Sequence, residues 1–283
     1  MSSIWLQRMT PPKAMCKVVT DGNMAELRKL LLDCDVNAAS EPDSKYSGKS
    51  PLHIVCESGR LNVAQLLLAQ PTVDVNVRTP YDETPLLFAC QARHVDIVRL
   101  LLARPETNVN CSNGNQWTPL HSACENGFAD IVQLLMSRPE LDVTGISWRR
   151  TPLHLACQQG HVDVVRLLLS HPLVSYHVES AKVANATPVH LAVKRQHTVV
   201  VQALVLHALA ALISDSVAVA ASATQFLAAF LAPEFPLDIT ARADVIQAVW
   251  AAHEDAAERR TMRNRLLEQS PAQPHDVLSR VVW

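Results

Sequence analysis

TPLHLACQQGHVDVVRLLL, residues 151–169, reads as two short helices joined by a glycine turn. Thr151 is a natural helix cap, and Pro152 suits the next position, where a missing N–H is no loss. Gly160 breaks the chain. Beyond it, apolar residues return at the spacing of an amphipathic helix. Neither helix can bury its apolar face alone, so a stable fold requires further copies stacked against it.

Those copies are present. SPLHIVCESGRLNVAQLLL from Ser50, TPLLFACQARHVDIVRLLL from Thr84 and TPLHSACENGFADIVQLLM from Thr118 align with it without gaps, and TPVHLAVKRQHTVVVQALV follows from Thr187. Successive starts lie 34, 34, 33 and 36 residues apart. Upstream, Thr10-Pro11, Cys16 and DGNMAELRKLLLDCDVN make a degenerate first copy of 40 residues. The sequence thus predicts an N-terminal segment 1–9, an array over 10–213 with copies starting near 10, 50, 84, 118, 151 and 187, and a C-terminal segment 214–283. In the array, second helices run through positions such as Val63, Leu66 and Leu67, and Pro71, Pro105, Pro139 and Pro172 close them. DVN or NVN segments, extended in character, lead to the next cap.

TPLHLAC-x-x-GH-x-x-VV-x-LLL with a DVN-like tail resembles the ankyrin repeat, whose pattern includes T-P-L-H-x-A at a period near 33 residues. The resemblance implies an all-α solenoid of stacked helix-turn-helix units with extended loop tips. It also implies a protein-interaction scaffold or adaptor rather than an enzyme, because family members share a scaffold and differ in what they bind. Two positions depart from the pattern: Arg93 and Gln196 stand where the inter-helix glycine belongs. A left-handed non-glycine residue costs about 1 kcal/mol or more, so local strain is expected at Arg93.

Cys16, Cys56, Cys90, Cys124 and Cys157 each lie six residues after the first Thr or Ser of a copy. Stacked helices are about 8–10 Å apart, too far for one zinc ion or a disulfide. The cysteines therefore read as small buried hydrophobes, and no metal or cofactor is expected. His53, His121, His154 and His190 recur one per layer. The resemblance gives them a structural task, in which the ring bonds loop backbone and links neighbouring layers. No nucleophile with an orienting acid recurs beside them. Asn76 closes Leu68-Ala-Gln-Pro-Thr-Val-Asp-Val-Asn, which resembles the site an asparaginyl hydroxylase modifies in ankyrin repeats; the alternative is that Asn76 bonds its own tight turn.

In this family the partner surface is usually a concave groove formed by loop tips and the exposed side of the first helices. Carried onto this chain, the loop tips include Lys49, Tyr81, Glu83, Trp117, Trp148, Arg149 and Arg150, and the helix positions include Glu57, Glu125, Lys194 and Arg195. Trp, Tyr and Arg are enriched at binding hot spots. Charge is graded along this set: Glu57, Glu83 and Glu125 fall in the middle copies, Arg149, Arg150, Lys194 and Arg195 towards the end.

Composition narrows the function. Lys and Arg total 25 against 27 Asp and Glu, a balance that argues against nucleic-acid binding. No GxGxxG is present, and a P-loop ending at Gly48-Lys49-Ser50 would need glycine where Asp43 stands. Val199 to Ile213, an apolar run of 15 residues, is shorter than the about 20 a membrane span requires. Met1–Thr10 lacks the apolar run of a secretory signal. The expected protein is cytoplasmic or nuclear, with a protein partner and no small-molecule substrate.

After about Ala208 the pattern stops. Ser216–Ala232 reads as a helix, and Asp238-Ile-Thr-Ala opens a longer one. The last copy ends in an apolar second helix, and open arrays need a covered end. Residues 216–252 are therefore expected to cap the sixth copy, with Phe226, Leu227, Phe230, Leu231, Val245, Val249 and Trp250 turned inward. The rival organisation makes the array a substrate-recruiting or regulatory subunit whose C-terminal helices dock onto an enzyme such as a ubiquitin ligase or kinase.

Overall fold

After Ser50, Thr84, Thr118, Thr151 and Thr187 a helix starts at the proline that follows, because the hydroxyl residue holds extended backbone while the proline ring fixes the first helical φ. The computed structural model of the chain describes residues 11–40, 48–148, 150–174 and 187–211, together with Ala223, Phe226, Leu227, Phe230, Leu237, Ala241, Asp244, Val245, Gln247 and Ala248. Within them the helices are α1 (Pro11–Asp21), α2 (Met24–Asp33), α3 (Pro51–Ser58), α4 (Leu61–Leu68), α5 (Pro85–Gln91) and α6 (Val95–Leu102). They continue with α7 (Pro119–Asn126), α8 (Ala129–Met136), α9 (Pro152–Gln159), α10 (Val162–Leu169), α11 (Pro188–Lys194) and α12 (Thr198–Ala211). The described residues form no strand, only an isolated bridge between Ser147 and Arg150.

The second helices α4, α6, α8 and α10 end at Leu68, Leu102, Met136 and Leu169, ahead of the prolines at 71, 105, 139 and 172. A residue that precedes proline is pushed out of the helical region, so the helix stops earlier and the proline shapes the following turn. The DVN and NVN segments are turns rather than extended chain. Asp74 Oδ1 accepts from the Asn76 N–H at 2.8 Å, and Asn108 Oδ1 from the Asn110 N–H at 2.9 Å. Val75 and Val109 point into the core between these polar residues.

The chain divides into two units, Met1–Asp142 and Val143–Trp283. In the first, α1, α3, α5 and α7 stack in order, and α4, α6 and α8 form a parallel layer. Leu52, Val55, Leu67, Leu86, Leu101 and Leu120 are almost wholly buried there. In the second unit α9 packs on α11 and α10 on α12. The α12 helix buries Val200, Val201, Leu204, Val205 and Leu209 but exposes Val199. Phe226 and Phe230 are buried with their rings stacked, centroids 6.4 Å apart. Leu237, Ala241 and Val245 line a cavity of about 420 Å³ with Val193, His197 and Val201 of the sixth copy. Most of the expected cap over 216–252, and all of 253–283, lies outside the described residues.

Candidate functional site

The recurring histidine is fixed first, since it sets what the array leaves free. His53 Nδ1 lies 3.1 Å from the Ser50 backbone N, and His154 Nδ1 3.2 Å from that of Thr151. A backbone N–H can only donate, so Nδ1 is the acceptor and the neutral ring carries its proton on Nε2. In His53 that proton reaches the Glu83 carbonyl of the next copy at 3.0 Å. One ring therefore caps its own helix, in the place a Glu or Gln takes in a capping box, and ties two layers. Burial holds the His53 pKa down to about 4, against the smaller opposing effect of the Glu83 carbonyl.

A second contact repeats one turn later. His94 Nε2 lies 3.1 Å from the Glu57 carbonyl, and His197 Nε2 3.1 Å from that of Gln158. Each ring lies against a left-handed glycine, Gly59 at φ 72° and Gly160 at φ 82°, where any Cβ would strike the imidazole. Arg93 and Gln196, which replace this glycine elsewhere, do adopt left-handed φ of 58° and 60°. At Arg93 the residue facing it in the next copy is Phe128 rather than histidine. The guanidinium lies over the Phe128 ring at 5.1 Å and within 3.4 Å of Asp130. That stack offsets part of the backbone strain. The sequence carries the signal: the central copy that lacks the glycine is followed by the one copy with Phe in the facing position.

Asn37, Asn76 and Asn110 clamp successive loops. Asn76 donates from Nδ2 to the Glu106 carbonyl at 2.7 Å and accepts from the Asn108 N–H at 2.8 Å. Asn110 repeats this with Glu140 and Asp142 at 2.6 and 2.8 Å, and Asn37 with Thr72 and Asp74 at 2.7 and 2.8 Å. The five in-register cysteines form no disulfide and are fully buried. Burial raises the thiol pKa values of Cys16, Cys56, Cys90 and Cys157, that of Cys16 to about 12. Cys111 is buried as well, with the Thr84 hydroxyl 2.9 Å from its sulfur. Among the described residues no group of His, Cys, Asp and Glu is arranged to hold a metal ion.

The interaction residues expected from sequence sit as follows. In the first unit Tyr81 is exposed, while Glu83 and Glu125 are half-buried. Trp117 is half-buried too, its ring 5.4 Å from that of His121. The Lys49 ammonium holds both Glu57 carboxylate oxygens at 2.8 Å and lies 4.7 Å from the Phe88 ring centre. Burial raises the Glu83 pKa, opposed by Lys49 and by a hydrogen bond from Thr79. In the second unit Trp148, Lys194 and Arg195 are exposed and Arg150 is half-buried; Arg149 lies outside the described residues. Lys194 and Arg195 end α11, where positive charge complements the helix dipole.

Loop length separates these tips. In the loop leading into the third copy Thr79 N–H bonds the Glu83 carbonyl at 3.0 Å, a three-residue loop with Asp82 at φ 62°. The loop leading into the fourth copy is alike, from Asn113 to Trp117 with Gln116 at φ 61°. Such loops place one left-handed residue at their end. The loop leading into the fifth copy is a residue shorter, and Ser147 and Arg150 exchange both backbone bonds at 3.0 and 2.8 Å. A two-residue hairpin loop demands positive φ at its first central position. Trp148 occupies it, at φ 49°, and remains 51% exposed. A bulky residue in that conformation costs about 1–2 kcal/mol.

Stacked helix pairs, tied by histidines and asparagines and displaying a row of unlike side chains at their tips, define a helical-repeat module. The family model described as ankyrin repeats in three copies matches residues 72–147, 105–179 and 141–215, and that of the single ankyrin repeat matches 47–80. The chain belongs to the ankyrin-repeat family, whose members generally mediate protein–protein interaction. An ankyrin repeat domain from Acinetobacter baumannii AYE is similar in structure at a TM-score of 0.60 and 19% identity, covering 68% of this chain and 96% of that chain. At that identity the likeness speaks for the fold alone. No curated protein matches the sequence. No helix among the described residues is long and apolar enough to cross a membrane.

Proposed function

We propose that the chain is an interaction adaptor that receives a protein partner on its loop tips and first helices. One observation carries this reading. The cysteines, histidines and asparagines that recur are consumed by the fold, whereas Tyr81, Trp148, Lys194 and Arg195 are exposed at positions the fold does not need. A preformed face lowers the ordering cost of binding. The test is capture of partners from native cells by the whole chain and by a variant carrying Tyr81→Ala, Lys194→Glu and Arg195→Glu. Exposed substitutions should shift stability by no more than about 0.5 kcal/mol each, so an unchanged melt with lost partners supports the reading. Retention of every partner overturns it. Asn76 is proposed as a site of hydroxylation within this role, and one added oxygen on its peptide in a mass spectrum of native protein is the corresponding check.

A further inference from the structure

The turn of the sixth copy lacks a part that other turns of the array have. Where the two helices of a copy meet, a planar side chain from the next copy lies across the turn. The Arg60 guanidinium at Gly22, the His94 ring at Gly59 and the His197 ring at Gly160 each fill the place a Cβ would take. Arg93 departs from glycine, and there two planar groups stack, the guanidinium 5.1 Å from the Phe128 ring centre. Gln196 is the counterpart of Arg93 in the sixth copy, left-handed in the same way at φ 60°, and it too ends in a planar polar group. No seventh copy follows in the sequence to supply a ring. Among the described residues, those facing Gln196 across the cavity of about 420 Å³ are Leu237, Ala241, Asp244 and Val245, none of them aromatic. Val201 and Val245 are buried, whereas Gln196 and Asp244 are exposed, so the cavity has an apolar floor and a polar rim. Asp244 makes no hydrogen bond or ion pair with the described residues, and an ionised carboxylate only accepts. Apolar clefts of roughly 300–1,000 Å³ with a few placed polar groups are where small molecules bind.

We propose that this cavity binds a small aromatic molecule that carries one hydrogen-bond donor. The ring takes the place that Phe128 holds against Arg93, stacked on the Gln196 carboxamide and resting on Val201 and Val245. The donor, a phenolic hydroxyl or a ring N–H, reaches the Asp244 carboxylate. Lys194 and Arg195 precede Gln196 in the chain and offset the charge of Asp244, so the class is a neutral ring rather than a cation. A left-handed glutamine is more strained than the glycine of other copies, and here its side chain supplies a wall that glycine cannot. The proposal does not rest on the adaptor reading, which concerns loop tips and first helices.

Titration of the whole chain with p-cresol, followed by NMR of its valine and leucine methyls, is the experiment. The comparison compound is 4-methylcyclohexanol, which keeps the hydroxyl and the methyl but has no aromatic face. p-Cresol is expected to saturate one site with a Kd at or below about 1 mM, its ring current moving the methyls of Val193, Val201, Leu237 and Val245. The cyclohexanol should bind at least about threefold more weakly. Gln196→Gly should leave the melting temperature no lower, since glycine relieves the left-handed strain, yet weaken p-cresol binding by about threefold or more. Asp244→Ala should weaken it by about fivefold. Ala241→Phe, which puts a ring of the protein's own into the cavity, should abolish it. Titration without saturation, methyl shifts centred elsewhere, equal binding of the two alcohols, or binding unchanged in Gln196→Gly, Asp244→Ala or Ala241→Phe overturns the proposal.

Discussion

In Met1–Asp142, three asparagine side chains each span from one loop to the next, donating to one backbone carbonyl and accepting from one backbone N–H. In Val143–Trp283 the place of Asn110 one copy later is taken by Thr144. Asparagine offers a separate amide donor and carbonyl acceptor, whereas threonine offers one hydroxyl on a shorter stem, so the side chain at this position differs in kind from the amide clamps before it. It also contains the shortened turn with left-handed Trp148. Two stretches of one repeat pattern can thus share their core residues and differ in the side chains offered to their loops. The first unit should accordingly be the more resistant to local opening.

The largest effect should come from separating the two units. Phe230 is fully buried in the second, and Phe230→Asp should cost it about 4 kcal/mol or more. Calorimetry should then show an early transition for the second unit and a retained one for the first; a single undivided melt would show that the units do not unfold separately. Acid comes next. The unfolded chain protonates His53 below about pH 6.5, whereas the folded chain resists until about pH 4. Stability of the first unit should therefore fall as pH drops through that window, by on the order of 3 kcal/mol, and His53→Gln should flatten the slope. His207, whose pKa burial also lowers, sits in the second unit and should leave an acid slope there.

A smaller effect tests the clamps directly. Asn76→Ala should cost about 2 kcal/mol, more than Thr144→Ala, whose single hydroxyl has less to lose, and amide exchange at residues 106–110 should rise only in the former. Equal losses would end the contrast between the loops. The smallest is Arg93→Gly. It releases left-handed strain of about 1 kcal/mol and forfeits the Phe128 stack and Asp130 contact of similar size, so chemical denaturation should find stability changed by less than about 0.5 kcal/mol.

The helix pairs, the buried cysteine register and the left-handed backbone at Arg93 were legible in the sequence, because each depends on residues a fixed few positions apart within a copy. The layer-linking task of His53 was legible only through family resemblance. The asparagine clamps were not, since Asn76 meets Glu106 and Asn108 across 30 and 32 positions and no local pattern announces that meeting. The Thr84–Cys111 contact escaped for the same reason. The DVN segments misread as extended because alternating valines suggest a strand, while the aspartate side chain in fact closes a turn. For the interaction face, position in the repeat found the residues, but exposure separated Tyr81 and Trp148 from Trp117, whose ring lies against His121. The C-terminal segment 214–283 has no repeat to lend it register.

Arg93 and Phe128 belong to consecutive copies, and so does the Arg93–Asp130 pair. The third copy is therefore not a self-sufficient building block. A gene duplication or an engineered graft that moved it alone would carry a left-handed arginine into a setting with no aromatic ring beneath it, and would leave Phe128 facing a foreign neighbour. The unit of inheritance at this point of the array is two copies long, and recombination that respects single-copy boundaries would break it.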